Sequence, residues 1–291
     1  MRTLIHLSDI HFGRVDERLL APLRTTIEAM QPDVVVVSGD FTQRARTHEF
    51  QAARAWLDTL PKPQIVVPGN HDIPLYNVAA RFLTPLTKYR RYITPDLAPE
   101  YVDDEIAVMG LNTARSLTIK DGRVNREQLQ RLEERLAKVD PKLTRIVVTH
   151  HPFDLPEGFK EDDLVDRAPM AMEAFSKCGV DVLLAGHLHA SHSGNSARRY
   201  KIAGYAALVV QAGTATSTRG RGETNSFNVL RIAPDEIQVD RYSWRDETTS
   251  FEVATIEIFR HDGDTWQPIG TAEGIDEAIT SDETVAPQIT G

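Results

Sequence analysis

Six short apolar runs, at 3–7, 33–38, 64–67, 106–111, 144–149 and 181–185, are rich in Val, Ile and Leu and mostly lack polar alternation. Runs of this length with both faces apolar read as strands covered on both sides. Between them lie 16–30, 47–60, 125–139 and 168–178, where apolar residues recur at helical spacing. Alternating strands and helices predict an α/β fold. Thr47 and Asn125 stand where caps belong, each an oxygen-bearing side chain with Glu or Gln in the following turn. From about residue 199 the pattern turns strand-like, at 200–213, 226–233, 236–244 and 251–259, which predicts a second sheet completing the same domain, residues 1–260. The remainder, 261–291, holds acidic residues among Gly, Thr and Pro but no Lys or Arg, and is expected to be a loosely ordered acidic tail.

Composition narrows the class. With 291 residues, 41% hydrophobic and 26% charged, the chain can bury a large core and is not a disordered polymer. No apolar run approaches the ~20 residues of a membrane span. The start, MRTLIHLSD, lacks the apolar core and cleavage site of a secretory signal, so the cytoplasm is the expected location. A lone Cys178 excludes an internal disulfide framework and a cysteine-rich zinc site, and is expected to be a small buried residue. Lys and Arg number 33 against 42 Asp and Glu, and the net charge of −9 disfavours nucleic acid or an anionic membrane as partner. Basic clusters at 88–92 and 196–201 read as solvated surface.

Polar residues punctuate the ends of the apolar runs. Asp9 and His11 follow the first, Asp40 the second, Asn70 and His71 the third, His150 a later one, and His187 and His189 the last. In an open α/β sheet, side chains at the carboxyl ends of strands leave the core and meet in one crevice. Two carboxylates, an amide and four imidazoles gathered there form a metal-ligand inventory, because the carboxylates need compensating positive charge. Seven donors exceed the needs of one four-coordinate ion, so two ions sharing a carboxylate is the economical reading.

The order DxH (Asp9, His11), GD (Asp40), GNHD (Asn70, His71, Asp72), H (His150) and GHxH (His187, His189) resembles the calcineurin-like metallophosphoesterase superfamily, across residues 9–189. The resemblance implies a four-layer α/β/β/α sandwich of two mixed sheets with flanking helices. It implies that Asp9, His11 and His189 hold one metal ion, that Asn70, His150 and His187 hold the other, and that Asp40 bridges them. It also implies a metal-bridging hydroxide attacking phosphorus in line with the departing oxygen. His71 is expected to protonate or stabilise the leaving alkoxide, with Asp72 orienting its ring or raising its pKa. Ligands of nitrogen and oxygen without thiolate admit manganese, iron, zinc or cobalt, divalent or trivalent.

The chain has GDFTQRA and GNHD, where the family's Ser/Thr protein phosphatases carry GDxVDRG and GNHE. It is more similar to the bacterial class III cyclic-nucleotide phosphodiesterases. A small phosphodiester is the expected substrate; a phosphomonoesterase or a nucleotide-lipid pyrophosphatase is the alternative, followed by a nuclease or a non-catalytic scaffold. Substrate choice is expected to lie in the loops 73–100, 112–124, 152–167 and 190–199. A free sheet edge in the C-terminal region would also allow a homo-oligomer. His151 reads either as substrate-facing or as a support, His6 as a core histidine, His48 and His192 as surface or loop residues, and Arg44 as paired with a neighbouring carboxylate. The stretch 218–223, TRGRGE, lacks the flanks of a nucleotide cradle.

Overall fold

The computed structural model describes residues 1–116, 121–219 and 222–273, and all six apolar runs in it are strands. They are β1 (Arg2–Leu7), β2 (Val34–Val37), β3 (Gln64–Val66), β5 (Ile106–Gly110), β6 (Thr144–Val148) and β7 (Val182–Ala185). Two further short strands are not among those the sequence predicts: β8 (His192–Asn195) lies in the expected loop 190–199, and β4 (Glu100–Val102) starts at the last residue of the expected loop 73–100. The C-terminal part adds β9 (Leu208–Gln211), β10 (Ser226–Ala233), β11 (Glu236–Arg245), β12 (Ser250–His261) and β13 (Trp266–Glu273). The four helical stretches form α1 (Glu17–Met30), α2 (Thr47–Leu57), α5 (Arg126–Leu136) and α6 (Ala168–Lys177), and two single-turn helices, α3 (Val78–Leu83) and α4 (Thr87–Tyr92), occupy the expected loop 73–100.

One sheet runs β13-β12-β11-β10-β1-β2-β3 and the other β4-β5-β6-β7-β9-β8. Each has a parallel block: β1-β2-β3 forms one side of the first sheet, with the antiparallel strands β10 to β13 on the other, and β5-β6-β7-β9 forms the centre of the second, with an antiparallel strand at each edge. The two-residue period of a strand sorts the apolar side chains into layers. Leu4, Val34, Val36, Ile146, Val148, Leu184 and Leu230 point between the sheets into one cluster. Their neighbours Ile5, Leu7, Val35 and Val37 face outward and are covered by Leu19, Leu23 and Ile27 of α1 and Phe50, Trp56 and Leu57 of α2. On the opposite outer face Met109, Val147, Leu183 and Val209 meet Leu129 and Leu132 of α5 and Met172 and Phe175 of α6. Helix, sheet, sheet and helix are thus four stacked layers, as the resemblance implies.

The strand-rich C-terminal part does not make a sheet of its own. β9 joins β7 in the second sheet, whereas β10 pairs antiparallel with β1 and carries β11 to β13 outward from it. Sequence shows that 226–259 is extended; it does not show that β1 has an open side to receive it. In the stretch expected to be an acidic tail, Asp262 accepts the amides of Asp264 and Thr265 in a tight turn, and β13 pairs back onto β12 with Trp266 buried. Residues 274–291 of that tail, 117–120 of the loop 112–124 and 220–221 of TRGRGE lie outside the described residues.

Asn125 caps α5 as expected, accepting Gln128 N at 2.9 Å while Gln128 Oε1 accepts Asn125 N. Thr47 does not cap α2; it is the first helical residue, and Glu49 reaches back to accept the amides of Arg44 and Arg46. Arg44 has no carboxylate partner among the described residues and lies over the Tyr76 ring, 5.5 Å from its centre. The basic clusters are partly folded in: Lys88 donates to Ala45 O, and Arg199 pairs with Asp154. Cys178 is half-buried. Among the described residues no helix is long and apolar enough to cross a membrane.

Candidate metal centre

Each expected ligand lies two to four residues beyond the carboxyl end of a parallel strand: Asp9 and His11 after β1, Asp40 after β2, Asn70 after β3, His150 after β6, His187 and His189 after β7. Leaving a strand so abruptly demands left-handed backbone. Asp9, His11, Asp40, His187 and His189 have φ between 53° and 74°, five of the nine non-glycine residues with positive φ among those described. Such strain collects where surrounding structure holds a side chain for a purpose. Two glycines let the loops touch. A Cβ on Gly69 would stand 2.1 Å from Asp40 Oδ1, and one on Gly186 would stand 1.7 Å from Ser8 Oγ.

On one side of the crevice Asp9 Oδ1 lies 3.4 Å from His11 Nε2 and 3.2 Å from His189 Nε2. These two ring nitrogens face each other at 3.2 Å. The other Asp9 oxygen accepts Ser8 Oγ at 2.6 Å and His187 N at 2.9 Å. On the far side Asn70 Oδ1 is 3.1 Å from His150 Nε2 and 3.1 Å from His187 Nδ1. Asp40 stands between, with Oδ1 3.5 Å from His150 Nε2 and Oδ2 3.6 Å from His11 Nε2.

Backbone carbonyls fix the orientation of the rings. A carbonyl only accepts, so the Nδ1 atoms that meet Thr42 O (His11, 3.4 Å), Ser38 O (His150, 2.7 Å) and Arg219 O (His189, 3.1 Å) carry the proton, and each Nε2 points into the crevice. Burial alone would raise Asp9 and Asp40, yet the charge of His189 beside Asp9 and of His150 beside Asp40 outweighs it and holds both carboxyls well below their usual range. Conversely, burial depresses His150, but the charge of Asp40 lifts it to about 9, and Asp9 raises His189 in the same way. His187 falls to about 3, from burial first and then the charge of His150.

The donor set fits metal ions. Among the described residues the ion-pair partners of the buried Asp9 and Asp40 are imidazoles only. Asp9 Oδ1 receives no hydrogen bond, although it faces two Nε2 atoms. A carboxylate oxygen so placed suits a cation with nitrogen and oxygen ligands. Asp9, His11 and His189, again Asp9, Asp40 and His150, and again His150, His151 and His187 each bring one ligand atom per residue within 4.8 Å of one another.

His71 stands beside this set, its ring 4.9 Å from that of His11 and its amide on Asp40 Oδ1 at 2.8 Å. Its Nδ1 donates to Gln43 O at 2.9 Å, which leaves Nε2 to accept Arg219 Nη1 at 3.0 Å. Burial lowers its pKa. Asp72 does not orient this ring. Its carboxylate turns back to accept the amides of Phe41, Thr42 and Gly69 and the Thr42 hydroxyl, so it ties the third strand's loop to the second's. Burial, followed by the charge of Asp40, pushes Asp72 up to about 7.

His151 enters the crevice as well, with Nδ1 2.8 Å from Thr113 Oγ1 and its ring 4.6 Å from that of His187. His6 is a core histidine bonded to Ser38 Oγ at 2.9 Å. Sequence reasoning missed Arg219 and the threonines before it, since TRGRGE carries no periodicity that points at a strand end. A cleft of about 680 Å³ beside the loop 152–167, lined by Glu161, Leu164, Arg167, Arg199 and Tyr200, contains none of the expected ligands.

A family model described as calcineurin-like phosphoesterase matches residues 2–191. The chain is 30% identical over 203 residues to the glycerophosphodiester phosphodiesterase GpdQ of Enterobacter lignolyticus, covering 60% of this chain and 69% of that one. It is 27% identical over 201 residues to a probable cyclic nucleotide phosphodiesterase of a Synechococcus species, covering 64% and 73%. In fold it is similar to a purple acid phosphatase from yellow lupin, with a TM-score of 0.62 at 13% identity over 83% of this chain; it spans about half of that protein, 51%.

Proposed function

Because the chain belongs to the calcineurin-like phosphoesterase family, we propose that it is a binuclear-metal phosphodiesterase that hydrolyses a small phosphodiester. One observation carries the reading: two buried carboxylates whose ion-pair partners among the described residues are imidazoles alone, with the Nε2 atoms of His11, His150 and His189 aimed at them. Asp9, His11 and His189 would hold one ion, Asn70, His150 and His187 the second, and Asp40, with an oxygen toward each side, would serve both. Manganese, iron, zinc and cobalt all suit these ligands. Ions so held supply Lewis acidity toward a phosphoryl oxygen and lower the pKa of water.

The chain's own residues orient the reaction. His71 is the residue assigned to the leaving oxygen: its Nδ1–H is committed to Gln43 O, so Nε2 is the nitrogen that can exchange a proton with a ligand. Asp72 contributes indirectly, by holding the Gly69–Asp72 loop against Phe41 and Thr42 so that Asn70 and His71 keep their places. A diester is favoured over a monoester because the two relatives above are named phosphodiesterases, one for glycerophosphodiesters and one for cyclic nucleotides.

The test is an assay of the protein reconstituted separately with each of the four metals. The substrates would be glycerophosphodiesters, 3′,5′-cyclic nucleotides, an aryl phosphodiester and its matched monoester. Hydrolysis of a diester with higher kcat/KM than the monoester is expected. Inactivity toward every diester with all four metals sinks the proposal, and faster monoester turnover replaces it with a phosphomonoesterase.

A further inference from the structure

We infer that the Arg219 guanidinium is the chain's own grip on the substrate phosphate, exchanging the His71 ring for a phosphoryl oxygen when the ester enters the crevice. This rests on the phosphoester reading above but concerns a residue outside the ligand motifs. The backbone carrying Arg219 is stitched to the loop that carries Asp9 and His11. Thr214 Oγ1 donates to Asp9 O at 2.8 Å, Ala215 N to Ser8 O at 3.0 Å, Thr216 Oγ1 to Ile10 O at 2.9 Å and Thr218 N to Arg14 O at 2.8 Å. Asp16 N returns a bond to Thr216 O at 2.8 Å. Thr214, Thr216 and Ser217 are buried, so the segment is part of the crevice wall rather than a free loop.

From that wall Arg219 reaches two functional groups at once. Its carbonyl accepts His189 Nδ1 at 3.1 Å, and its side chain donates to His71 Nε2 at 3.0 Å. The guanidinium therefore lies at the mouth of the crevice, beside the ring assigned to the leaving oxygen. A neutral imidazole offers the guanidinium a single lone pair and no opposite charge, whereas an anionic phosphoryl group adds opposite charge and matches the planar fork. A chain with net charge −9 also needs fixed local positive charge to draw a phosphate in. Exchange of partners would leave His71 Nε2 facing the ester, so anion recognition and presentation of the ring would be one movement.

The test uses zinc-loaded protein, with inorganic phosphate as the probe, and calorimetric titration of wild type, Arg219→Ala and Arg219→Lys at measured zinc content. Arg219→Ala keeps the carbonyl that supports His189. It should retain zinc and bind phosphate about 10- to 100-fold more weakly, the loss expected for charge-assisted hydrogen bonds. Arg219→Lys should recover part of the affinity, since it restores the charge without the fork. On a hydrolysed diester, KM should rise by more than kcat falls. Phosphate affinity within about twofold of wild type, or loss of zinc, overturns the inference and reduces Arg219 to a brace. Arg219-dependent phosphate binding by a protein that hydrolyses no phosphoester would end the functional reading and leave the anion site standing. Hydrolysis with KM and phosphate affinity untouched by Arg219→Ala would do the reverse.

Discussion

Asp40 offers Oδ1 to His150 and Oδ2 to His11, and no other side chain among the described residues has ion-pair contacts to both halves of the crevice through separate carboxylate oxygens. In the proposed two-ion site its removal would deprive both ions of an anionic ligand, so Asp40→Ala should hold fewer than two metal equivalents after dialysis, and elemental analysis reads this directly; a full complement of two would contradict the proposed bridging place. His71 has the opposite expectation. Its ring is bonded to Gln43 O and Arg219 rather than to the ligand set, so His71→Ala should keep both metals while kcat falls about 10²- to 10⁴-fold, the usual worth of a positioned proton donor. That these side chains gather in one crevice was legible in the sequence because Asp, Asn or His directly after a run such as Ile146–Val148 has no place in a core. Asp72 was misread because adjacency to His71 suggested a contact, whereas its side chain folds back to the amides of Phe41 and Thr42, about thirty positions away. Arg219 lies 148 positions from the ring it touches, and no local pattern reports such a contact.

Loops between elements carry the site, and glycines decide how closely those loops approach. At Gly186 an added methyl would meet Ser8 Oγ at 1.7 Å and Asp9 Oδ2 at 2.7 Å, so Gly186→Ala must push Asp9 or the whole 186–189 turn aside. The expected result is weakened metal binding on the Asp9 side with the strands intact, seen as reduced metal content beside an unchanged far-ultraviolet circular dichroism spectrum; normal metal content would show that the loops have slack. A second inter-loop tie lies in the segment 152–167. Buried Asp154 accepts Arg199 Nε at 2.9 Å and has His192 at 3.6 Å. Burial alone would raise its carboxyl, but the nearby His192 and the bond from Arg199 hold it below the ordinary value of 3.8. A depressed folded pKa means that the stabilisation is complete above 3.8 and disappears as pH falls through the folded value. Asp154→Asn should therefore cost about 1–3 kcal/mol at pH 7 and progressively less as pH falls below 3.8. Urea denaturation at both pH values checks this, and an equal loss at both would mean that the carboxylate charge is irrelevant. Here the sequence was least informative: β4, EYV, and β8, HSGN, lack the apolar run that marks the equally short β2, β3 and β7, and Arg199 looked like solvated surface until the fold brought Asp154 beneath it.

At the scale of the molecule, the crevice lies where the parallel strands of the two sheets end together, with Asp9, Asp40 and Asn70 supplied by one sheet and His150, His187 and His189 by the other. The apolar pattern revealed the strands whose ends carry the site; it did not reveal that β10 to β13 extend the first sheet, because the pairing of β10 with β1 depends on which edge is open in three dimensions. Ions held across the crevice would tie the two sheets together, and in the unfolded chain the same ligands are scattered over 180 positions of sequence, from Asp9 to His189. Binding to the native state alone stabilises it by RT ln(1 + [L]/Kd), about 2.7 kcal/mol at a hundredfold excess over Kd. For a chain of this size each kcal/mol moves Tm by about 2–4 °C. Chelation should therefore lower the calorimetric midpoint by several degrees, re-addition of manganese or zinc should restore it, and Asp40→Ala should show a smaller difference between the two states. An identical midpoint with and without chelator, at metal contents shown to differ, would mean that the two sheets are not bridged by bound ions.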